Sequence, residues 1–511
     1  MAAAAPTGDF PTPLNRVFIT ATVMAASTMQ SLDNTIANIA LPHIQGSVSA
    51  TQDQIMWVLT SYIIAVAIMT PAMGWLAGRF GRKRVFMIAI ASFTVASILC
   101  GAAQTLPELV LFRLAQGASG AALVPLSQAI LLDINPVERH GRAMSIWGMG
   151  VIIGPILGPI FGGWLTENYS WRWVFYINVP IGVLAYLGTL NFVPKTQLRE
   201  TRFDIFGFAT FSLAIGALQL VLDRGQLKNW FTSPEIQIEA VIASLAFYLF
   251  VVHMFTTPKP YINRALLKDS NFVVGNVLVF TIGVVLFATL ALLPPMLQDL
   301  MNYPVLTAGL VMAPRGIGTL IAMQIVGHLI GKIDVRLLIG FGLLLAAVAS
   351  EQMSHFSLQM DAMPVIWSGV IQGLGTGFAY VSLTVVAFAT IAPELRNDGT
   401  ALFNLMRNVG SSIGISGVQT MLTRNTQLVH TSLATHISPY GLAEHHPHIA
   451  QQLTSLGGLR ALNQEITTQA GMVAYIDDFR LMTLITLAVI PLLLLVRKPR
   501  RNEEAPTIVM E

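Results

Sequence analysis

The chain has 511 residues, of which 54% are hydrophobic and only 11% are charged, against about 25% charged in an average soluble protein. That balance excludes a water-soluble fold and the nucleic-acid-binding classes that go with one, and it predicts an all-α integral membrane protein. A net charge of +3 decides nothing by its size; the placement of the cations does.

Met1 to Asn15 lack a basic n-region and a cleavage site, so the first apolar segment is expected to remain in the protein. Apolar runs of about 18 to 25 residues predict fourteen spans, near 16–40, 54–76, 84–103, 106–132, 141–166, 172–193, 204–222, 235–255, 272–298, 305–330, 335–353, 363–391, 398–423 and 478–496. With the N-terminus placed inside, most of the 29 Lys and Arg fall in cytoplasmic segments, among them Arg79, Arg82, Lys83, Arg84, Arg497, Lys498, Arg500 and Arg501. The positive-inside rule then puts both termini in the cytoplasm.

Within the first span, the run Leu32 to Pro42 carries Asp33, about 13 Å of helix below the outer proline. An acid there costs about 2.5 to 3.5 kcal/mol on insertion scales and marks a functional site by default. Asp33 is therefore the candidate proton carrier; the competing reading is a packing acid held by Gln30 and Asn34. Gln30, Asn34 and Asn38 are also candidates for lining a substrate cavity. At the inner end of the second span, Gly74-Trp-Leu76-Ala-Gly78-Arg79-Phe-Gly81-Arg82-Lys83-Arg84 combines a tight turn with clustered cations. Gly74, Arg79, Gly81, Arg82 and Lys83 are read as a cytoplasmic gate, or more simply as a topogenic basic loop. Cys100, the single cysteine, permits neither an intrachain disulfide nor a cysteine metal cluster. Arg113, in the fourth span, is the candidate partner of a nearby carboxylate.

The fifth span holds Gly150-Val-Ile-Ile-Gly154-Pro155-Ile-Leu-Gly158-Pro159-Ile-Phe-Gly162-Gly163-Trp164. Gly150, Gly154, Gly158 and Gly162 share one helical face, and small residues at that spacing let a neighbouring backbone approach closely. Pro155 and Pro159 each remove a backbone donor and bend the axis. A tight, bent contact that seals the outer side is expected, with Gly163 as part of it. Arg315 and Arg407, about ten residues into the tenth and thirteenth spans, are read as binding an anionic group of a substrate. Alternatively they satisfy exposed carbonyls beside Pro314 and Gly410.

Four motifs recur in order some 250 to 260 residues later. Leu41-Pro42 returns as Leu293-Pro294, Gly74-x-Leu76-x-Gly78 as Gly327-x-Leu329-x-Gly331, Gln116-Gly117 as Gln372-Gly373, and Gly150 with Gly154 as Gly410 with Gly414. The counterpart of Asp33 is Val285. Two six-helix halves follow, 1–200 and 265–511, with two inserted helices at 201–264 and substrate near the midplane between the halves. Segment 424–477 is too polar for a span and is expected outside, with helical stretches at Gln419–Thr435 and Leu459–Val473. Gly410-Ser411-Ser412-Ile413-Gly414 satisfies G-x-S-x-G but lies in an apolar helical span rather than a strand-turn-helix, so no enzyme is expected. His445, His446 and His448 beside Glu444 lack a recognised ligand spacing, and no phosphate-binding loop occurs; no metal or cofactor is expected.

These residues together resemble the fourteen-span drug:proton antiporters of the major facilitator superfamily, of the EmrB/QacA family, and most of all EmrB-type pumps. The resemblance rests on Leu32 to Pro42, Gly74 to Arg84, Arg113 to Gly120, Gly150 to Gly163, Trp171-Arg-Trp-Val-Phe-Tyr-Ile-Asn178-Val-Pro180-Ile-Gly182 and Leu222-Asp223-Arg224-Gly225. It implies proton coupling through Asp33 and Arg113, the antiporter helix contact at Gly150 to Gly163, and export of amphipathic drugs by alternating access in the bacterial inner membrane. It also implies an EmrA-like periplasmic adaptor meeting the outer segment and a TolC-like outer-membrane channel. One departure stands out: the superfamily's loop motif has an acid where this chain has Gly78. The rival expectations are export of one endogenous compound, fatty-acid- or siderophore-like, and a sensor or scaffold that moves nothing.

Overall fold

The computed structural model describes residues 11–136, 139–196, 198, 203–258, 260–436 and 456–496. Among them no strand occurs, and eleven helices are long and apolar enough to cross a membrane. In chain order the helices over the predicted spans are α1 Pro13–Ser47, α2 Trp57–Phe80, α3 Arg82–Ala102, α4 Leu106–Ile134, α5 His140–Asn168, α6 Trp173–Phe192 and α7 Ile205–Arg224. They continue with α8 Pro234–Thr256, α9 Ser270–Leu300, α10 Thr307–Leu329, α11 Val335–Met353, α12 Met363–Ala389, α13 Arg396–His436 and α14 Leu456–Val489. Helices α1, α5 and α13 are the three outside the eleven. Of these, α1 and α13 carry Asp33 and Arg407 and are the more polar along their length, and that polarity is what a transport path needs.

Prolines set the irregularities. The path of α4 breaks at Ala121 and Ala122, because Pro125 offers no N–H to the Ala121 carbonyl and crowds it. Ile177, which interrupts α6, stands just ahead of Pro180, and Ala313, which interrupts the path into α10, directly precedes Pro314. By contrast α5 runs unbroken through Pro155 and Pro159, at which only the helix backbone is described.

The packing repeats. α1 lies on α5 and α6, and α9 lies on α13 and α14; α2 and α3 pack on α4 as α10 and α11 pack on α12. Between the two groups α2 meets α13 and α10 meets α5, the reciprocal exchange that a pseudo-two-fold axis produces. α7 and α8 pack on each other, and α7 lies against α2 and α13.

One expectation changes in detail. The second copy of the loop motif is shorter at its end: α2 continues through Gly78 to Phe80 and turns at Gly81 with φ 88°, whereas α10 stops at Leu329 and turns at Gly331 with φ 91°. Both turns need the left-handed backbone that glycine alone adopts cheaply, so Gly331 corresponds in conformation to Gly81 rather than to Gly78. Stretches 419–435 and 459–473 are both helical, as expected, and each continues a flanking helix. α13 runs on to His436 and α14 starts at Leu456, and the two extensions are joined by His430 Nε2 and Asn463 Oδ1 at 3.1 Å. Glu444, His445, His446, His448 and the basic tail from Arg497 lie outside the described residues.

Candidate functional site

Five helices converge on Asp33. The Arg113 Nη1 donates to Asp33 Oδ2 at 2.6 Å, and both residues are buried, with 1% of the Arg113 and 0% of the Asp33 side chain exposed. Asp33 Oδ1 accepts from Gln116 Nε2 and from Asn178 Nδ2, each at 2.9 Å. Both amides also reach Ser97 Oγ, at 2.7 and 3.3 Å. Arg113 and Gln116 stand three residues apart on one face of α4, and Arg113 donates further to Gln116 Oε1 at 2.8 Å and to the Val58 carbonyl at 3.1 Å. Its guanidinium lies 4.2 Å from the Tyr62 ring centre. A buried ion pair persists only when its remaining lone pairs and protons are satisfied, and here both carboxylate oxygens are. Protonating Asp33 would cancel the charge that Arg113, Gln116 and Asn178 all serve, so a proton can re-sort contacts from α1, α4 and α6 at once.

This arrangement replaces the sequence expectation for the neighbours of Asp33. Gln116 and Asn178 hold it, not Gln30 and Asn34: Asn34, one position on, is turned about 100° away, and Gln30, three positions back on the same face of α1, lies beside Tyr62 instead. Gln30 is buried, while Asn34 and Asn38 are exposed on α1. Gln116 and Asn178 stood in recognisable motifs; Ser97 carried no sequence signal.

Directly behind Asp33, α1 meets the glycine stripe. A Cβ at Gly154 would sit 2.6 Å from Leu32 N and 2.7 Å from Ser31 C, one at Gly150 would sit 2.8 Å from Met24 Cε, and one at Gly158 would collide with Thr35 Oγ1. Three hydroxyls of α1 donate across the contact: Thr28 to Gly150 O at 2.7 Å, Ser31 to Val151 O at 2.8 Å and Thr35 to Gly154 O at 3.3 Å. Gly163 takes no part, since a Cβ there would meet nothing within 4 Å. It lies one residue, about 100° of helix, away from the Gly150–Gly162 face.

At the basic end, Arg82 is buried, with its Nη1 2.5 Å from Asp133 Oδ2 and 3.1 Å from Ala129 O. Asp133 Oδ1 accepts from Arg396 Nη1 of α13 at 3.0 Å. A Cβ at Gly74 would lie 2.5 Å from Asp398 Oδ1, so α13 approaches α2 at this glycine. Lys83 Nζ reaches Leu190 O at 2.8 Å, and Arg79 is exposed. Asp133, which the sequence did not single out, is thus the residue through which α3 holds α13. Asp133→Asn is expected to loosen this end by about 1.5 to 3 kcal/mol, the worth of a hydrogen bond to a charged group. The check is a rise in labelling of a cysteine introduced at the Arg396 end of α13.

Comparison with known proteins places the chain. The Major Facilitator Superfamily model matches residues 23–415. The chain belongs to the major facilitator superfamily. Among superfamily relatives it is 35% identical to the multidrug export protein EmrB of Escherichia coli K12 over 475 residues, 89% of this chain and 93% of that protein. It is also 35% identical to the fatty acid resistance protein FarB of Neisseria gonorrhoeae over 487 residues, 94% and 96% of the two chains. The fold resembles that of the proton:xylose symporter XylE bound to 6-bromo-6-deoxy-D-glucose, at a TM-score of 0.61 and 14% identity, covering 94% of this chain and 96% of that one.

The second half of this superfamily fold repeats the packing without the ion pair. A Cβ at Gly414 would lie 2.5 Å from Val284 O and one at Gly410 would collide with Phe280 O, as those at Gly154 and Gly150 would meet α1. Where the first half has Asp33 the second has Val285, which borders a cavity of about 20 Å³ lined also by Gln372 and Thr376. Arg315 is buried with Nη2 3.3 Å from Leu286 O, and its Nη1 has no partner among the described residues. Arg407 Nη1 donates to Tyr380 Oη at 3.1 Å, and its Nε is likewise unpaired. No described contact joins these two arginines to Gln30, Asn34 or Asn38. Across the halves, Asn404 Nδ2 donates to Gln128 Oε1 at 2.6 Å. The G-x-S-x-G residues lie inside the unbroken α13, with Ser412 Oγ donating to Asn408 O at 3.2 Å.

Proposed function

We propose that the chain is an EmrB-type exporter that moves amphipathic, lipophilic compounds across the bacterial inner membrane in exchange for protons, by alternating access between halves 1–200 and 265–511 linked by the inserted pair 201–264. The buried Asp33–Arg113 pair carries this reading, supported by the identity to EmrB over most of both chains. Fourteen spans with both termini cytoplasmic fit the basic clusters and the fourteen helices. Asp133–Arg396 and the approach of Gly74 to Asp398 then close the cytoplasmic side. Asp33 is already matched by Arg113, so the first half offers a substrate no free negative charge. The second half holds Arg315 and Arg407 with unpaired donors and, on α14, Asp478 with both carboxylate oxygens buried and unpaired among the described residues; two cations against one acid favour neutral or weakly acidic lipophiles over dications. The likeness to FarB supports a second reading, export of one endogenous amphiphile carrying a carboxylate.

Purified protein in proteoliposomes, given an imposed proton gradient, tests both. Accumulation of several unrelated lipophiles supports the polyspecific pump; accumulation of a long-chain fatty acid alone supports the dedicated exporter; no flux of any compound leaves a scaffold. The paired extensions of α13 and α14 are the proposed seat of an EmrA-like adaptor, through which a TolC-like channel would be reached. Deleting 430–470 is expected to lower adaptor capture at least about tenfold, the effect of losing an interface hot spot, while substrate binding persists. Full capture by the deleted protein would refute the partner assignment.

A further inference from the structure

Proline at 155 has no N–H, so the Val151 carbonyl, four residues earlier in α5, has no helical donor. That carbonyl is the one Ser31 Oγ reaches from α1, at 2.8 Å. The two flanking contacts differ. Thr28 and Thr35 donate to Gly150 O and Gly154 O, carbonyls whose helical donors, the N–H groups of Gly154 and Gly158, are present in the sequence. Ser31 alone meets a carbonyl that its own helix cannot satisfy.

The second half of the chain supplies an internal comparison. The counterpart of Ser31 on α9 is Gly283, that of Val151 on α13 is Ser411, and that of Pro155 is Ile415. Gly283 lies against Ser411 N, at 3.2 Å for a Cβ placed there, and against Arg407 O. The contact is therefore kept while the hydroxyl and the proline are both gone. With a residue that has an N–H at 415, the Ser411 carbonyl needs no outside donor. Hydroxyl and proline are present together in one copy and absent together in the other.

We infer that Ser31 is a positioning residue that supplies the hydrogen bond Pro155 withholds, and that this bond clasps the proton-carrying helix α1 to α5 at its weakest turn. Ser31 stands two residues from Asp33, so about half a turn of helix separates the ion pair from the bond to the orphan carbonyl. The inference rests on the proposed proton-coupled transport for its consequence and on the hydrogen bond alone for its geometry. When Asp33 exchanges its partners, α1 shifts; Ser31 then keeps α5 moving with it and keeps water from the open carbonyl. Without the hydroxyl, the carbonyl must recruit water into the α1–α5 contact, which gives protons a path that no substrate controls.

A double-mutant cycle at the two positions tests this in the full-length protein. Ser31→Ala is expected to raise proton leak in substrate-free proteoliposomes about fivefold or more and to lower the apparent Tm, the penalty of one unsatisfied buried carbonyl; Ser31→Thr, which keeps the hydroxyl, restores both. In a Pro155→Ala background the restored N–H takes over, and Ser31→Ala changes neither leak nor Tm by more than about a tenth of its effect on the parent. The Tm cycle reads the clasp even where Pro155→Ala stops transport, and wild-type flux checked in parallel shows separately whether the transport reading holds. Equal effects of Ser31→Ala in both backgrounds, or no effect in the parent, would overturn the inference.

Discussion

In proteoliposomes energised by about 100 mV, one-proton exchange sustains roughly a fifty-fold gradient of a neutral substrate, and Asp33→Asn is expected to bring that gradient to about one while substrate-for-substrate exchange continues. The gradient needs a group that changes charge as it faces each side, and Asp33 supplies it beside Arg113. Asparagine can still accept from one neighbour and leaves substrate contacts alone, so movement without coupling is the signature sought. A second effect must be separated from the first. Asn leaves the Arg113 charge buried and uncompensated, a loss of about 3 to 5 kcal/mol, which lowers yield and Tm. Replacing Arg113 by Gln as well removes the stranded charge, so the double variant is expected to regain most of the stability and none of the gradient. A fifty-fold gradient surviving in either variant would remove Asp33 from the coupling step.

The architecture was legible because membranes leave a chain few choices. Apolar runs give the helices, and recurrent motifs give the repeated packing of α1 on α5 and α9 on α13. Asp33 and Arg113 were legible as a pair because each is expensive in a bilayer and only a partner relieves the cost. Their neighbours were less so. Ser97 and Tyr62 are ordinary residues in apolar helices, and nothing in their types tells that the fold turns them toward a carboxylate; only three-dimensional packing does. Asp133 was missed for a different reason. It stands at a helix end, where acids are cheap, and its role appears only when α13 brings Arg396 from the far end of the chain. Gly163 shows the opposite error: it belongs to the glycine-rich run by composition, yet helical geometry turns it off the packed face.

That contrast frames the second large effect. Gly154→Ala is expected to cut coupled transport about tenfold, and Gly154→Leu to end it or open a leak, whereas Gly163→Ala leaves it unchanged. The atoms that a Cβ at 154 would meet are backbone, Leu32 N at 2.6 Å and Ser31 C at 2.7 Å, so no side-chain rotation relieves the overlap and α1 must withdraw from α5. Overpacking of this kind costs about 1 to 3 kcal/mol, and 1.4 kcal/mol is a factor of about ten in an equilibrium. Gly414→Ala supplies the discriminating control, because its Cβ meets Val284 O at 2.5 Å in a contact of the same geometry with no carboxylate beside it. Should close packing alone matter, the two alanine variants lose stability and transport together. A proton leak confined to Gly154→Ala would instead tie the stripe to Asp33, since α1 is the helix that carries both the acid and the surface on which the glycines close.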